Sequence, residues 1–288
     1  MEWLLAIIKY LFIAILLSVY PIGLETNKVR YKVTPVIVYA IIGINVLIYL
    51  IMILGDWLNY RGFYNDVINA FGFLPAAFLT SNTENGAGDA FAIGMAFLSL
   101  VTHQFLHGGF LHLLGNMMAL NLFGPQVEAG QNIKFRGQAK TPYNTFFPFI
   151  IFYLLCGLGA VLTHFTVACF SGSESAVNTV LVGASGAISG IIGAYLVGLW
   201  SDYNRARISV LFIFNFTINV SWYILYWAGL QFAMLLIYGA GGTVSFSAHV
   251  GGFFTGIIVW YFVTPWVNNM TKANIRGWFR SKRKGGSR

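Results

Sequence analysis

From Ile208 to Thr271 the chain carries no Asp, Glu, Lys or Arg. A water-soluble domain has roughly one charged residue in four, because each helix or sheet must turn a face to solvent. A stretch this long without charge has no such face. It suits a bilayer, which about 20 mostly apolar residues cross as a helix. The whole chain follows suit, with 57% hydrophobic and 9% charged residues among 288. Seven runs have the required length: 3–22, 34–55, 107–125, 145–169, 179–200, 220–239 and 247–265. The expected fold is therefore all-α, a polytopic transmembrane helical bundle.

The charges give the orientation. Lys28, Arg30 and Lys32 lie between the first two runs, Lys134, Arg136 and Lys140 in the 126–144 link, and Arg205 and Arg207 in the short 201–207 link. The C-terminal tail holds Lys272, Arg276, Arg280, Lys282, Arg283, Lys284 and Arg288. The alternate links hold Arg61 against Asp56, Asp66, Glu84, Asp89 and Glu174. Basic links stay cytoplasmic, which puts the N-terminus outside and the C-terminus inside. The net charge of +8 thus marks membrane ends rather than a nucleic-acid partner, with some attraction of the tail to anionic lipid.

The first run starts Met1-Glu2-Trp3 without a basic region, is interrupted by Lys9, and is followed by no small-residue cleavage site; it reads as a retained helix rather than a signal peptide. Residues 56–106 form an outer connection too long for a turn. Its mixture of apolar patches (Phe71 to Phe78) and polar ones (Ser81 to Asp89) fits an element lying along the membrane surface. The aromatic-rich 211–219 run is expected to pack at the inner interface. Cys156 and Cys169 have no metal or redox spacing and read as packing residues.

Polar groups at bilayer depth are costly and usually functional. Three clusters qualify: His103, His107, His112 and Asn116 leading into the third run; Gly183-Ala184-Ser185-Gly186 opening the fifth; and Ala248-His249-Val250-Gly251-Gly252 opening the seventh. The topology brings all three to the outer level. Around Ser185 the small residues Gly186, Gly190, Ala194 and Gly198 recur every four positions, and Gly252 and Gly256 follow His249 at three and seven. Such seams let helix backbones come close, which can draw a hydroxyl to an imidazole. A serine needs a base within hydrogen-bond reach, and neutral His249 is the candidate. The oxyanion formed on attack needs donors placed beforehand. His112 and Asn116, four apart on one helix face, and the Ser185 N–H are candidates. His107 is expected to support the site by hydrogen bonding, and His164 to be structural. No metal and no cofactor is expected: the histidines have no carboxylate nearby, and no H-E-x-x-H occurs. No Asp lies inside a crossing, and 183–187 is not the G-x-S-x-G elbow. That leaves the serine–histidine route to proteolysis.

Leu106-His-Gly-Gly-Phe-Leu-His-Leu-Leu-Gly-Asn116, Gly183-Ala-Ser-Gly-Ala-Ile-Ser-Gly190 and Ala248-His-Val-Gly-Gly252, in that order, resemble the rhomboid family of intramembrane serine proteases over roughly residues 34–264. The resemblance implies a six-helix core, here preceded by an extra N-terminal transmembrane helix. It also implies a Ser–His dyad without a third acid, made of Ser185 and His249, and an oxyanion site lined by His112 and Asn116. Gly183 and Gly186 match motif glycines beside the serine, Gly252 matches a helix-contact glycine, and Glu128 resembles a glutamate with a structural role near the inner face. Ser189 stands where some relatives have a tyrosine stacked on the histidine, so His249 is expected to be held differently here.

The expected organisation is an N-terminal helix and basic link over 1–33, a protease domain over 34–266 with its outer loop at 56–106, and a basic cytoplasmic tail over 267–288. The expected function is hydrolysis of peptide bonds in or next to transmembrane segments of membrane proteins, at a site near the outer face. The alternative is a catalytically silent rhomboid-like protein that binds client transmembrane helices; oligomeric state and substrate identity are not encoded in any motif.

Overall fold

The six apolar runs from residue 34 onward each hold a helix. The computed structural model describes residues 19–25, 35–58, 62–80, 90–136, 146–198, 205–210, 214–239 and 244–263. The order is β1 (Val19–Glu25), α1 (Val36–Trp57), α2 (Phe63–Phe71), α3 (Pro75–Thr80), α4 (Ala90–Thr102), a single 3-10 turn (His103–Phe105), α5 (Phe110–Arg136), α6 (Phe146–Phe170), α7 (Glu174–Val177), α8 (Ser185–Gly198), β2 (Arg205–Val210), β3 (Phe214–Asn219), α9 (Val220–Tyr238) and α10 (Phe246–Val263). Among the described residues, α1, α6 and α9 are each long and apolar enough to cross a bilayer, and α4 with α5, bent by 75° at their junction, form a fourth candidate. Helices α1 and α9 turn Leu47, Leu50, Trp222 and Leu236 outward, as lipid-facing helices do. The chain is an integral, multi-pass membrane protein. The 56–106 connection is largely helical, made of α2, α3 and α4.

Helix α8 is shorter than the 179–200 run suggests. Its 14 residues rise about 21 Å, against a hydrocarbon thickness of about 30 Å. The cause is cross-linking of the preceding segment: Leu181 and Phe73 exchange backbone hydrogen bonds of 2.8 and 3.0 Å, and Gly183 N–H donates to the His103 carbonyl at 2.8 Å. Those bonds hold 181–183 extended, so the helix cannot begin before residue 185.

Helix α10 packs most extensively against α8 and α6, with glycine at each close approach. A methyl group on Gly252 would overlap the Gly186 carbonyl oxygen, one on Gly256 the Gly190 carbonyl oxygen, and one on Gly251 the Thr163 side chain. The opposing residues are small too: a methyl on Gly186 would meet Ala160 and one on Gly190 would meet Cys156. This is backbone-to-backbone packing, the kind that holds helices together where lipid removes the hydrophobic drive.

Glu128 of α5 is fully buried. Its Oε1 accepts from the Ile37 N–H at 3.2 Å and its Oε2 from the Val38 N–H at 2.9 Å. Pro35 at the start of α1 supplies no side-chain cap, so a carboxylate from another helix satisfies first-turn donors and complements the positive end of the helix dipole. Glu128→Ala is expected to lower unfolding stability by about 2 kcal/mol, read as a lower thermal midpoint in detergent micelles.

The expectation of an all-α chain is corrected by a three-stranded antiparallel sheet in the order β1-β2-β3. Val19↔Val210 through Glu25↔Arg205 pair on one side of β2, and Arg205↔Asn219 through Val210↔Phe214 on the other. The register shifts between Pro21 and Gly23, where proline has no N–H to give the ladder. Along β2, Arg205 and Arg207 are exposed while Ala206 and Ile208 are buried, the period of a half-buried strand. Thus 19–22, read as the end of a crossing, is strand; residues 3–18 of that run and the 267–288 tail lie outside the described residues. Because β2 follows α8 and β3 precedes α9, the sheet sits at the end of the bundle away from Ser185.

Candidate active site

Ser185 is the first residue of α8 and His249 lies in the first turn of α10. The glycine contacts between these helices bring Ser185 Oγ to 2.9 Å from His249 Nε2. The other ring nitrogen, Nδ1, is 2.8 Å from Oε1 of Gln231 on α9. An amide oxygen only accepts, so Nδ1 carries the ring proton and Nε2 presents a lone pair to the serine hydroxyl. That is the tautomer a general base needs. Both Ser185 and His249 are half-buried.

The ring is held by neighbours from two helices. Trp227 of α9 lies over it at 6.3 Å between centroids with a tilt of 32°, and Phe246 meets it edge-on at 6.4 Å. The Ser189 hydroxyl donates to the Ser185 carbonyl at 2.7 Å. At the start of α10, Ser245 Oγ accepts from the Ala248 N–H at 3.3 Å and lies 2.7 Å from His164 Nδ1. Ser247 Oγ is 3.0 Å from the same nitrogen. His164 thus ties α6 to the turn that presents His249, a structural task.

A second group of donors gathers on the other side of the serine. Gly183 has φ +123°, a conformation open to glycine, and a methyl there would come within 2.8 Å of His112 Nε2 and 3.5 Å of Asn116 Nδ2. His112 Nδ1 accepts from the Gly108 N–H at 3.3 Å, which leaves Nε2–H as the donor of the neutral ring. Asn116 Nδ2 is buried and has no hydrogen-bond partner among the described residues. A buried amide donor without a partner is costly. Here two donors converge within reach of the backbone two residues before Ser185, an arrangement able to hold an anionic oxygen. Gly183→Ala is expected to slow any reaction run at this site at least ~10-fold, through φ strain and displacement of His112, as read by turnover of the folded variant.

His107 departs from expectation. Its ring is fully buried, neither nitrogen has a partner among the described residues, and it packs edge-on to His112 at 5.2 Å. Its hydrogen bonding is through the backbone, the carbonyl accepting from the Tyr64 hydroxyl of α2. The ring props His112, and the main chain anchors the surface connection. His103 Nδ1 lies 2.8 Å from the Ser99 carbonyl, its own helix's backbone.

Gln231 escaped the sequence reading. It is the one amide inside α9, and it carries neither a charge nor a motif to mark it. The rule that buried polar groups in membrane helices have partners applies to amides as well.

A family model described as "Rhomboid domain" matches residues 95–266, which include all the site residues above. RHOMBOID-like protein 5 of Arabidopsis thaliana is 31% identical over 164 residues, 56% of this chain and 42% of that protein. RHOMBOID-like protein 6, mitochondrial, of the same plant is 29% identical over 164 residues, 54% of this chain and 40% of that protein. The rhomboid protein YdcA of Bacillus subtilis (strain 168) is 36% identical over 98 residues, 34% of this chain and 39% of its own length. The chain spans about two-fifths of the length of each of these curated relatives.

Proposed function

Because the chain belongs to the rhomboid family, we propose that it is an intramembrane serine endopeptidase that hydrolyses peptide bonds in or next to transmembrane segments of membrane proteins. The observation that carries this reading is the 2.9 Å approach of Ser185 Oγ to His249 Nε2, the nitrogen left unprotonated when Nδ1–H faces Gln231 Oε1. In the proposed reaction the Ser185 oxygen bonds to the substrate carbonyl carbon as its proton passes to His249. The carbonyl oxygen, now anionic, is held by His112 Nε2–H, Asn116 Nδ2–H and the Ser185 N–H. Collapse breaks the C–N bond as His249 protonates the leaving amine. Water, deprotonated by His249, then attacks the acyl ester and releases Ser185.

The proposed core consists of α1, α5, α6, α8, α9 and α10, preceded by an N-terminal transmembrane helix. The basic links put the C-terminus in the cytoplasm and the N-terminus outside, so the Ser185 end of the bundle faces outward. A substrate helix enters sideways and must unwind before its carbonyl reaches Ser185, which favours segments rich in Gly and other weak helix formers.

The test is mass spectrometry of membrane peptides incubated with the reconstituted protein. Cleavage products appear with wild type and are missing with Ser185→Ala. Equal release by both would end the protease reading; absence of products from both, over a broad set of transmembrane peptides, would favour a silent helix-binding protein.

A further inference from the structure

We infer that Gln231 is a positioning residue for the reaction, fixing the tautomer and orientation of His249 so that this site works through three groups. The inference rests on the reading of Ser185 and His249 as nucleophile and base. Three observations carry it. Gln231 is buried in an uncharged helix, where an unpaired amide is costly. Its Oε1 is 2.8 Å from His249 Nδ1, the ring nitrogen that does not face Ser185. Trp227, one helical turn before it, lies over the same ring. One turn of α9 therefore supplies both an aromatic packing contact to the imidazole and a hydrogen-bond acceptor at its Nδ1.

The chemistry explains why an amide serves. A general base must keep its proton on the nitrogen away from the nucleophile, and an acceptor at Nδ1 enforces this. A carboxylate would do so more strongly, but a charge at bilayer depth is expensive. A neutral amide gives the acceptor without the charge. As His249 takes the serine proton, Oε1 remains opposite Nδ1–H and stabilises the imidazolium by a dipole held in place beforehand.

The experiment compares wild type, Gln231→Met, Gln231→Glu and Ser185→Ala, each full-length and in liposomes, by steady-state cleavage of a reporter transmembrane peptide. Methionine fills a similar volume without an effective acceptor; glutamate keeps an acceptor at the same reach. Gln231→Met is expected to lower kcat about 10- to 100-fold with KM and thermal midpoint little changed, and Gln231→Glu to recover kcat to within about threefold of wild type. A purely structural role predicts the reverse: methionine is tolerated and glutamate disrupts. If Gln231→Met matches wild type while Ser185→Ala is inactive, or if Gln231→Glu is folded yet as slow as Gln231→Met, the inference is overturned and the protease reading stands. Activity of Ser185→Ala equal to wild type would overturn both.

Discussion

Ser185→Ala is expected to lower turnover of a reporter transmembrane peptide by at least ~10³-fold, and His249→Ala by about as much, with the double variant little worse than either. The non-additivity follows from geometry. The two side chains share one hydrogen bond of 2.9 Å: without the imidazole the hydroxyl has no base, and without the hydroxyl the base has no proton to take. Asn116→Ala is expected to cost less, up to ~10²–10³-fold, as loss of one oxyanion donor does. Its loss should appear in kcat more than in KM, because its Nδ2–H has no partner among the described residues and would be engaged when charge develops on the substrate. Steady-state rates of the four variants, each checked for folding by thermal midpoint, test this ranking. A serine variant that kept more than about a tenth of wild-type turnover would contradict it.

The second large effect comes from a residue that touches no reacting atom. Gly256→Val is expected to abolish cleavage and sharply reduce the yield of folded protein. Its Cβ alone would overlap the Gly190 carbonyl oxygen, a backbone atom that cannot swing aside as a side chain can. Relief requires α8 and α10 to separate, with overpacking strain of about 1–3 kcal/mol or more. The same separation pulls Ser185 from His249, and displacement of about 1 Å costs ~10²-fold in rate. Gly256→Ala should lie between wild type and valine. Gly43→Ala is the control: its Cβ enters open space, so stability should be unchanged or slightly higher from improved helix propensity. Thermal unfolding and turnover of the three variants separate a packing effect from a general intolerance of glycine replacement.

Much of this architecture is visible in the chain because the bilayer imposes a single period and length on its crossings. The runs read as 34–55, 145–169, 220–239 and 247–265 each correspond to one helix of similar bounds. The serine–histidine pairing was legible for a related reason: small-residue seams at Gly186 and Gly190, and at Gly252 and Gly256, announce which helix faces meet. The parts that were not legible depend on contacts distant in sequence. Nothing near Ser185 states that α8 begins there; the bonds from Phe73 and His103 do. The β2 alternation of Arg205, Ala206, Arg207 and Ile208 is only one short strand, and its partner β1 lies some 180 residues earlier, overlapping the end of the apolar 3–22 run. Glu128 signalled structure without revealing its object, the first turn of α1. Gln231 carries no charge, and its alignment with His249 arises from the packing of α9 on α10.

The most direct measurement is the site and dependence of labelling by a fluorophosphonate probe, which bonds only to an activated serine oxygen. With the full chain in liposomes, the mapped adduct should lie on Ser185 and should vanish in both Ser185→Ala and His249→Ala while these remain folded. Failure of the folded wild-type chain to react, or labelling of Ser185 that persists at the wild-type rate without His249, would contradict a hydroxyl made nucleophilic by the imidazole beside it.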